Sequence, residues 1–256
     1  MSRTGDWSDE QIQYYFNGIE WSEYPQKLWN VMQLQCGDCS TMLDIGSGPG
    51  AFALIGAASG LSAWAVDTKL KSLRALEKRA YELCLEGITT VAGSWPDVDV
   101  PACDLAVCSY SFGGEIGTRR GLAKILEKTN KVAFLVCPYS RFQTDFLSET
   151  LYEEAGLEPP AFEGSYSDLL HTLAELGAHC SVQIVDYDFG FSLPEEKCLE
   201  KAAQFLADKL GLPDRQKVRA HLERIVRRKN GMLWVPNPRK SALLTWSRKH
   251  RGEIKR

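Results

Sequence analysis

Short apolar runs alternate with helical patterns five times between residues 42 and 138, and this constrains the chain more than any other feature. The runs fall at residues 42–45, 61–66, 88–92, 104–108 and 131–138, and the segments between them carry apolar residues at helical spacing, as in Leu73, Leu76, Ala80 and Leu83. Parallel strands need a crossover that a helix fills, so this alternation predicts an α/β fold with a doubly wound, mostly parallel sheet. With 256 residues and 44% hydrophobic content, the chain can bury a full core.

The first run ends abruptly. Gly46, Gly48 and Gly50 occupy alternate positions after Met42, Leu43, Asp44 and Ile45, and helix formers resume at Ala51. Glycine takes backbone angles that a β-carbon forbids and lets a ligand lie on the main chain at a helix N-terminus, which suits a carboxylate or a phosphate. Asp44 is a charge at a buried strand end and needs a partner. Asp67 ends the second run about twenty residues on, where a carboxylate can accept both hydroxyls of a ribose. Gly46-x-Gly48-x-x-Ala51 also satisfies the dinucleotide fingerprint, so the residues alone leave a nicotinamide nucleotide open as the ligand.

The sequence Leu43-Asp44-Ile45-Gly46-Ser47-Gly48-Pro49-Gly50 resembles the first motif of class I S-adenosylmethionine-dependent methyltransferases. The order of strands and helices over residues 40–190 is similar to that family, and residues 241–246 match its last strand. The resemblance implies a Rossmann-like, mostly parallel seven-stranded sheet with an antiparallel last strand. It also implies S-adenosyl-L-methionine as cofactor, with Asp44, Gly46, Ser47, Gly48, Gly50 and Asp67 at its site. In the family an acidic residue after the third strand often takes the adenine amino group; here Ser94 stands nearest, with Asp97 three residues on. Trp95 either stacks on the adenine or covers the core. Cys108 and Ser109, at the end of the fourth strand, complete the expected cofactor set.

The loop Ser109-Tyr110-Ser111-Phe112-Gly113-Gly114 should face the transferred methyl, because ligands of open α/β sheets bind outside the carboxyl ends of the strands. It is not the Asn/Asp-Pro-Pro-Tyr loop of many enzymes that methylate amines of DNA, RNA and protein, which counts against an exocyclic base amine as acceptor. Residues 6–34 hold three tryptophans and three tyrosines. We expect a helical, aromatic-rich cap over residues 1–36, with a helix at 25–34, and substrate contacts from Tyr24, Trp29 and Tyr110. Residues 37–190 would form the cofactor-binding core. Residues 191–256 would add a helical insertion, the final strand and a basic tail to the same domain. Further helices are expected over 141–155 and 167–177, and a strand over 181–188.

The net charge of −3 conceals an asymmetry. Residues 214–256 hold 14 Lys and Arg against 3 Asp and Glu, leaving 16 against 30 in the rest. The basic end fits an anionic partner such as RNA, or a solvated helix face, with Arg215, Arg219, Arg224, Arg227 and Arg228 expected on one helix. Eight scattered cysteines read as reduced residues; Cys36 and Cys39 form a C-x-x-C without a second pair, so no metal is expected. His171 and His179 read as ordinary residues on or near a helix. No catalytic residue declares itself; Glu115, Tyr110 and His171 are candidate bases by position alone. No run of eighteen apolar residues and no signal-type segment occurs, so a cytoplasmic protein without a membrane partner is expected. The resulting functional expectation is a methyltransferase acting on a small molecule. The alternatives are one acting on RNA or protein through the basic end, a NAD-dependent oxidoreductase, and a non-catalytic cofactor-binding module. Nothing in the sequence specifies an oligomeric state.

Overall fold

The computed structural model describes residues 7–140, 142–161, 165–195 and 198–248. Its elements are α1 (Asp9–Trp21), α2 (Gln26–Cys36), β1 (Thr41–Ile45), α3 (Ala51–Ala58), β2 (Ser62–Asp67), α4 (Leu70–Glu82), β3 (Ile88–Ala92), β4 (Cys103–Ser109), α5 (Arg119–Glu127) and β5 (Thr129–Pro138). There follow α6 (Glu149–Ala155), α7 (Tyr166–Glu175), β6 (Ser181–Asp188), β7 (Phe191–Leu193), α8 (Leu199–Leu210), α9 (Arg215–Ile225), β8 (Arg227–Lys229), β9 (Met232–Val235) and β10 (Pro238–Ser247).

The main sheet has seven strands in the order β3-β2-β1-β4-β5-β10-β6. β1 pairs parallel with β2 and β4, β2 with β3, and β4 with β5. β10 runs antiparallel to β5, with Ser241 opposite Pro138 and Ser247 opposite Val132. The expected mostly parallel seven-stranded sheet with an antiparallel last strand is therefore the one observed. Chain reversal between β1 and β4 leaves a switch point at the carboxyl ends of these strands, where open α/β sheets hold their ligands.

Contacts divide the chain into two compact units. One comprises Pro25–Tyr139, Glu163–Val185 and Ser241–Arg256, and its core gathers Leu43, Ile45, Trp95, Leu105, Phe134, Leu122, Leu169 and Leu244. Its helix α2 buries one face: Trp29 is 1% exposed and its indole N–H donates to Ser59 Oγ, at the C-terminus of α3, at 3.0 Å. The other unit comprises Met1–Tyr24, Ser140–Phe162 and Asp186–Lys240, with a core of its own around Phe146, Phe191, Phe205, Leu206 and Leu222. There Tyr14 of α1 packs on Phe191 and Phe205, both at 4.5 Å between centroids. β7, β9 and β8 form a three-stranded antiparallel sheet in this unit.

That small sheet departs from the sequence reading. Residues 191–193 pair with β9 before α8 begins at Leu199, and Arg227 and Arg228 lie on β8, since α9 ends at Ile225. The cause is the turn at Asn230 and Gly231, both in the left-handed region (φ 50° and 80°), which folds β8 back on β9 as a tight hairpin requires. The helix expected over 141–155 forms only from Glu149. Phe146 and Leu147 have positive φ, which an α-helix cannot accommodate, and the Phe146 N–H donates to Asn237 Oδ1 at 2.8 Å; Arg141 lies outside the described residues.

Deleting a fully buried indole leaves a cavity, so Trp29→Ala should destabilise the fold by about 3–5 kcal/mol. An unfolding free energy from urea melts lowered by that amount is the expected result, whatever ligand is present.

Candidate active site

The switch point is built from backbone turns pinned by carboxylates. β1 ends at Ile45 and the chain turns through Gly46, Gly48 and Gly50, with φ of 65°, 53° and 86°. Left-handed backbone costs a residue with a β-carbon about 1–2 kcal/mol, which is why glycine recurs. Packing adds a second reason at two of them. A β-carbon on Gly46 would collide with the Ser111 side chain, and one on Gly50 with Leu76 of α4.

Two aspartates hold the turn. Asp44 is 2% exposed, and its Oδ2 accepts the Ala53 N–H at 2.9 Å, satisfying one donor of the first turn of α3. Burial first, and then the nearby Asp67, push its pKa up to about 7 against the opposing effect of the Ala53 hydrogen bond. Asp67, at the end of β2, receives the Gly48 N–H on Oδ2 and the Lys69 N–H on Oδ1, each at 2.8 Å. Ser47 donates its N–H to Val66 O at 3.0 Å, and its side chain is buried. The glycine turn is thus fastened to β2 by two hydrogen bonds, and Asp67 keeps further lone pairs for a ligand.

The loop after β4 closes the other side. Ser111 donates its hydroxyl to Gly46 O at 2.8 Å and stands 3.1 Å from Ser109 O. Tyr110 adopts φ 55°, donates its N–H to Val136 O at 2.8 Å, and pairs its phenol with Ser241 Oγ of β10 at 2.7 Å. A non-glycine residue in this conformation is strained and persists only where its surroundings over-determine it, here through a bond at each end.

Sequence reasoning placed Asp44, Gly46, Ser47, Gly48, Gly50, Asp67, Ser109 and Tyr110 at one sheet edge, and they lie together there. Ser94 is exposed beyond β3. Four other residues expected at the site have buried side chains. Trp95 is 2% exposed, donates its indole N–H to Gly121 O at 3.0 Å and belongs to the core, so it covers the sheet. Cys108 is wholly buried in the same core. Trp29 packs α2 on α3. Tyr24 is buried against Tyr187 and Phe189, at 5.6 and 4.4 Å between centroids. Aromatic enrichment in residues 6–34 therefore marks packing at these two positions. Ser111 and Ser241 were missed. Their partners lie 65 and 131 residues away, and nothing local signals such a pairing.

The remaining chemistry lies elsewhere. Cys36 donates its thiol to Met32 O at 3.2 Å, and burial followed by the neighbouring Cys39 pushes its pKa up to about 11; Cys39 is raised as well, by burial and Asp104. Both are held as thiols at neutral pH. Among the described residues no group of three or more His, Cys, Asp or Glu could hold a metal. Exposed His171 pairs with Glu175 at 3.4 Å. Much of the basic end is engaged within the fold. Arg219 bonds Glu200 and Glu223, Lys229 donates to Trp21 O and sits over Trp234, Arg239 pairs with buried Asp145 at 2.6 Å, Lys240 with Asp186 at 3.7 Å, and Arg248 donates to Leu126 O. The tail after Arg248 lies outside the described residues. No helix among the described residues is long and apolar enough to cross a membrane.

No protein-family profile matches the chain. An uncharacterised protein of Haemophilus influenzae is 28% identical over 230 residues, spanning 88% of this chain and 82% of that one. Among solved structures, a methyltransferase of Thiobacillus denitrificans in complex with S-adenosyl-L-homocysteine superposes with TM-score 0.53 at 15% identity, covering 95% of this chain and all of that one. The magnesium protoporphyrin IX methyltransferase of Synechocystis, with S-adenosylhomocysteine bound, gives 0.52 at 11% identity over 95% of this chain and 89% of its own. The fold is that of S-adenosylmethionine-dependent methyltransferases. Within this methyltransferase fold, β10 between β5 and β6 is the antiparallel strand, where the dinucleotide-binding order runs 3-2-1-4-5-6 without it.

Because folding raises the Asp44 pKa from 3.8 to about 7, the native state keeps a proton that the unfolded chain has released between those values. Asp44 therefore contributes most favourably below pH 4, and its contribution falls as pH rises to about 7 and then levels. Asp44→Asn keeps an acceptor for Ala53 and does not titrate. Its stability relative to the unsubstituted protein should rise steadily from pH 4 to 7 in denaturant melts, whereas a constant difference would mean that Asp44 ionises normally. Gly50→Ala combines left-handed strain with the Leu76 collision and should cost about 2–4 kcal/mol in the same melts.

Proposed function

We propose that the protein is an S-adenosylmethionine-dependent methyltransferase acting on a small-molecule acceptor. The observation that carries the reading is the glycine turn whose Gly48 N–H is held by Asp67, in a sheet that inserts antiparallel β10 beside β5. The residues present fit the cofactor. A β-carbon at Gly46 or Gly50 would meet Ser111 or Leu76, so these glycines hold the turn tight, and a ligand could lie on such a side-chain-free backbone. Asp67 has two oxygens, each already accepting one N–H and each able to accept a ribose hydroxyl as well. Asp44 is too buried to meet a ligand; it is a positioning residue that fixes the start of α3. S-adenosylmethionine would supply an electrophilic methyl on a sulfonium.

The chain's own contribution is then placement. Holding two reactants in line removes much of the entropic barrier to a displacement, so this chemistry needs little from side-chain acids or bases. Asp67 at the end of β2 would hold the ribose and the β1 turn the amino-acid end, leaving the carboxyl ends of β4 and β5, the next strands in the sheet, for the acceptor. Ser109 and Tyr110 stand at that point. Two considerations support a small acceptor: Arg219, Lys229, Arg239, Lys240 and Arg248 are engaged inside the fold, and the similar Synechocystis enzyme is named for a porphyrin. The antiparallel β10 argues against an oxidoreductase.

Calorimetry on the purified protein should detect S-adenosylmethionine and S-adenosylhomocysteine, and Asp67→Ala should weaken both by about 1.5–3 kcal/mol, the size of a lost charged hydrogen bond. Binding of NAD in their place would falsify the assignment. With methyl-labelled cofactor and fractionated cell extract, label is expected among small molecules. Label in RNA, lost on replacing exposed Arg224, Arg227 and Arg228 by Glu, would overturn the choice of acceptor.

A further inference from the structure

The chain leaves β4 in a way that regular structure does not require. Tyr110, the first residue after the strand, takes the left-handed conformation at φ 55° although it carries a β-carbon. Its N–H to Val136 O and its phenol to Ser241 Oγ hold it there. Strain of this kind persists at functional sites where neighbouring bonds over-determine it, and here it turns the chain sharply aside. The next residue, Ser111, comes to rest on the turn after β1, where its hydroxyl donates to Gly46 O at 2.8 Å. Gly46 is shaped to receive it. A β-carbon there would lie 2.4 Å from Ser111 Cβ and 3.4 Å from Ile116 Cδ1, so the loop meets the turn at two residues. The loop is also closed on itself, since a β-carbon on Gly117 would fall 2.3 Å from Phe112 O, and Phe112 is buried in the core.

We infer that Ser111 is a positioning residue that ties the loop after β4, residues 109–114, to the glycine turn, so that a ligand on the turn orders the loop. This rests on the proposed function, which puts S-adenosylmethionine on the turn and the acceptor beside the loop. The energetics follow from the bond. A ligand that rigidifies one partner of a hydrogen bond reduces the entropy that the other still has to lose, so order at Gly46 passes to Ser111 without a change of shape. The coupling is limited to what one hydrogen bond contributes, roughly two- to tenfold in an opening equilibrium. Methyl transfer gives it a use, because in-line placement fails when the loop beside one reactant moves relative to the turn that holds the other. Asp67 fastens the turn from the β2 side, and Ser111 fastens the loop to that turn from the β4 side.

The test is hydrogen exchange read by mass spectrometry in the peptide covering residues 109–114, on the full chain with and without saturating S-adenosylhomocysteine. In the unsubstituted protein the ligand should slow exchange there by roughly two- to tenfold. Ser111→Ala removes the donor, and Ser111→Cys puts a weak donor of similar size against Gly46. Both variants should still bind S-adenosylhomocysteine in calorimetry, because Asp67 and the turn amides are untouched, yet exchange at the same rate with and without it. A merely structural role would raise exchange in the variants and leave the ratio as it was. Slowing that survives in Ser111→Ala or Ser111→Cys, or no slowing in the unsubstituted protein with ligand bound, would overturn the coupling and leave the cofactor reading intact. Failure of S-adenosylhomocysteine to bind the unsubstituted protein would instead overturn the proposed function, and this inference with it.

Discussion

A single carboxylate at the end of β2 ties the site together. Asp67 accepts the Gly48 N–H from the turn after β1 and the Lys69 N–H from the residue that precedes α4, so one side chain fixes both loops that a nucleoside would touch. Charge-assisted hydrogen bonds of this kind are the stronger ones, and here each is made to backbone, which has no rotamer freedom left to lose. The turn they hold is intrinsically costly, with three left-handed residues in five. Glycine lowers that cost, and Asp44 and Asp67 offset what remains by satisfying amides that the turn removes from regular structure. The buried Asp44 comes with its own penalty, visible in its raised pKa, and the Ala53 N–H is its compensation.

The two halves of the sheet edge are held by different means. On the β1–β2 side the fastenings run from carboxylate to amide. On the β4–β5–β10 side they are hydroxyls: Ser111 to Gly46 O and Tyr110 to Ser241. A hydroxyl can donate or accept and rotates to suit, so the second half can keep its bonds while its neighbours vary.

Much of this was legible in the sequence because it is local. β3 at Ile88–Ala92 and β6 at Ser181–Asp188 coincide with the strands expected there, and the glycine turn announces its own backbone. What failed was composition without register. Aromatic residues near the N-terminus suggested a lid, yet Trp29 and Tyr24 each bury their rings, because a large apolar ring beside a forming core gains more from packing than from waiting for a ligand. The cations of the basic end looked like one helix face. Asn230 and Gly231 instead turn Arg227 and Arg228 onto a strand, and Arg239 finds Asp145, 94 residues earlier in the chain, in a buried pair. Neither event has a local signature, since both depend on which distant segment supplies the partner.

The same distinction bears on where specificity resides. Residues that a motif identifies, such as Gly46, Gly48, Gly50 and Asp67, are constrained by backbone geometry and a ligand common to many proteins. Tyr110 and Ser241, by contrast, are brought together by β10 entering the sheet beside β5. β10 is the last strand made, and Ser241 reaches Tyr110 only once the whole sheet is assembled. This side of the sheet edge is thus a property of the assembled sheet: Ser241 stands opposite Pro138, and a substitution that shifts this register should disturb Tyr110 before it disturbs the glycine turn.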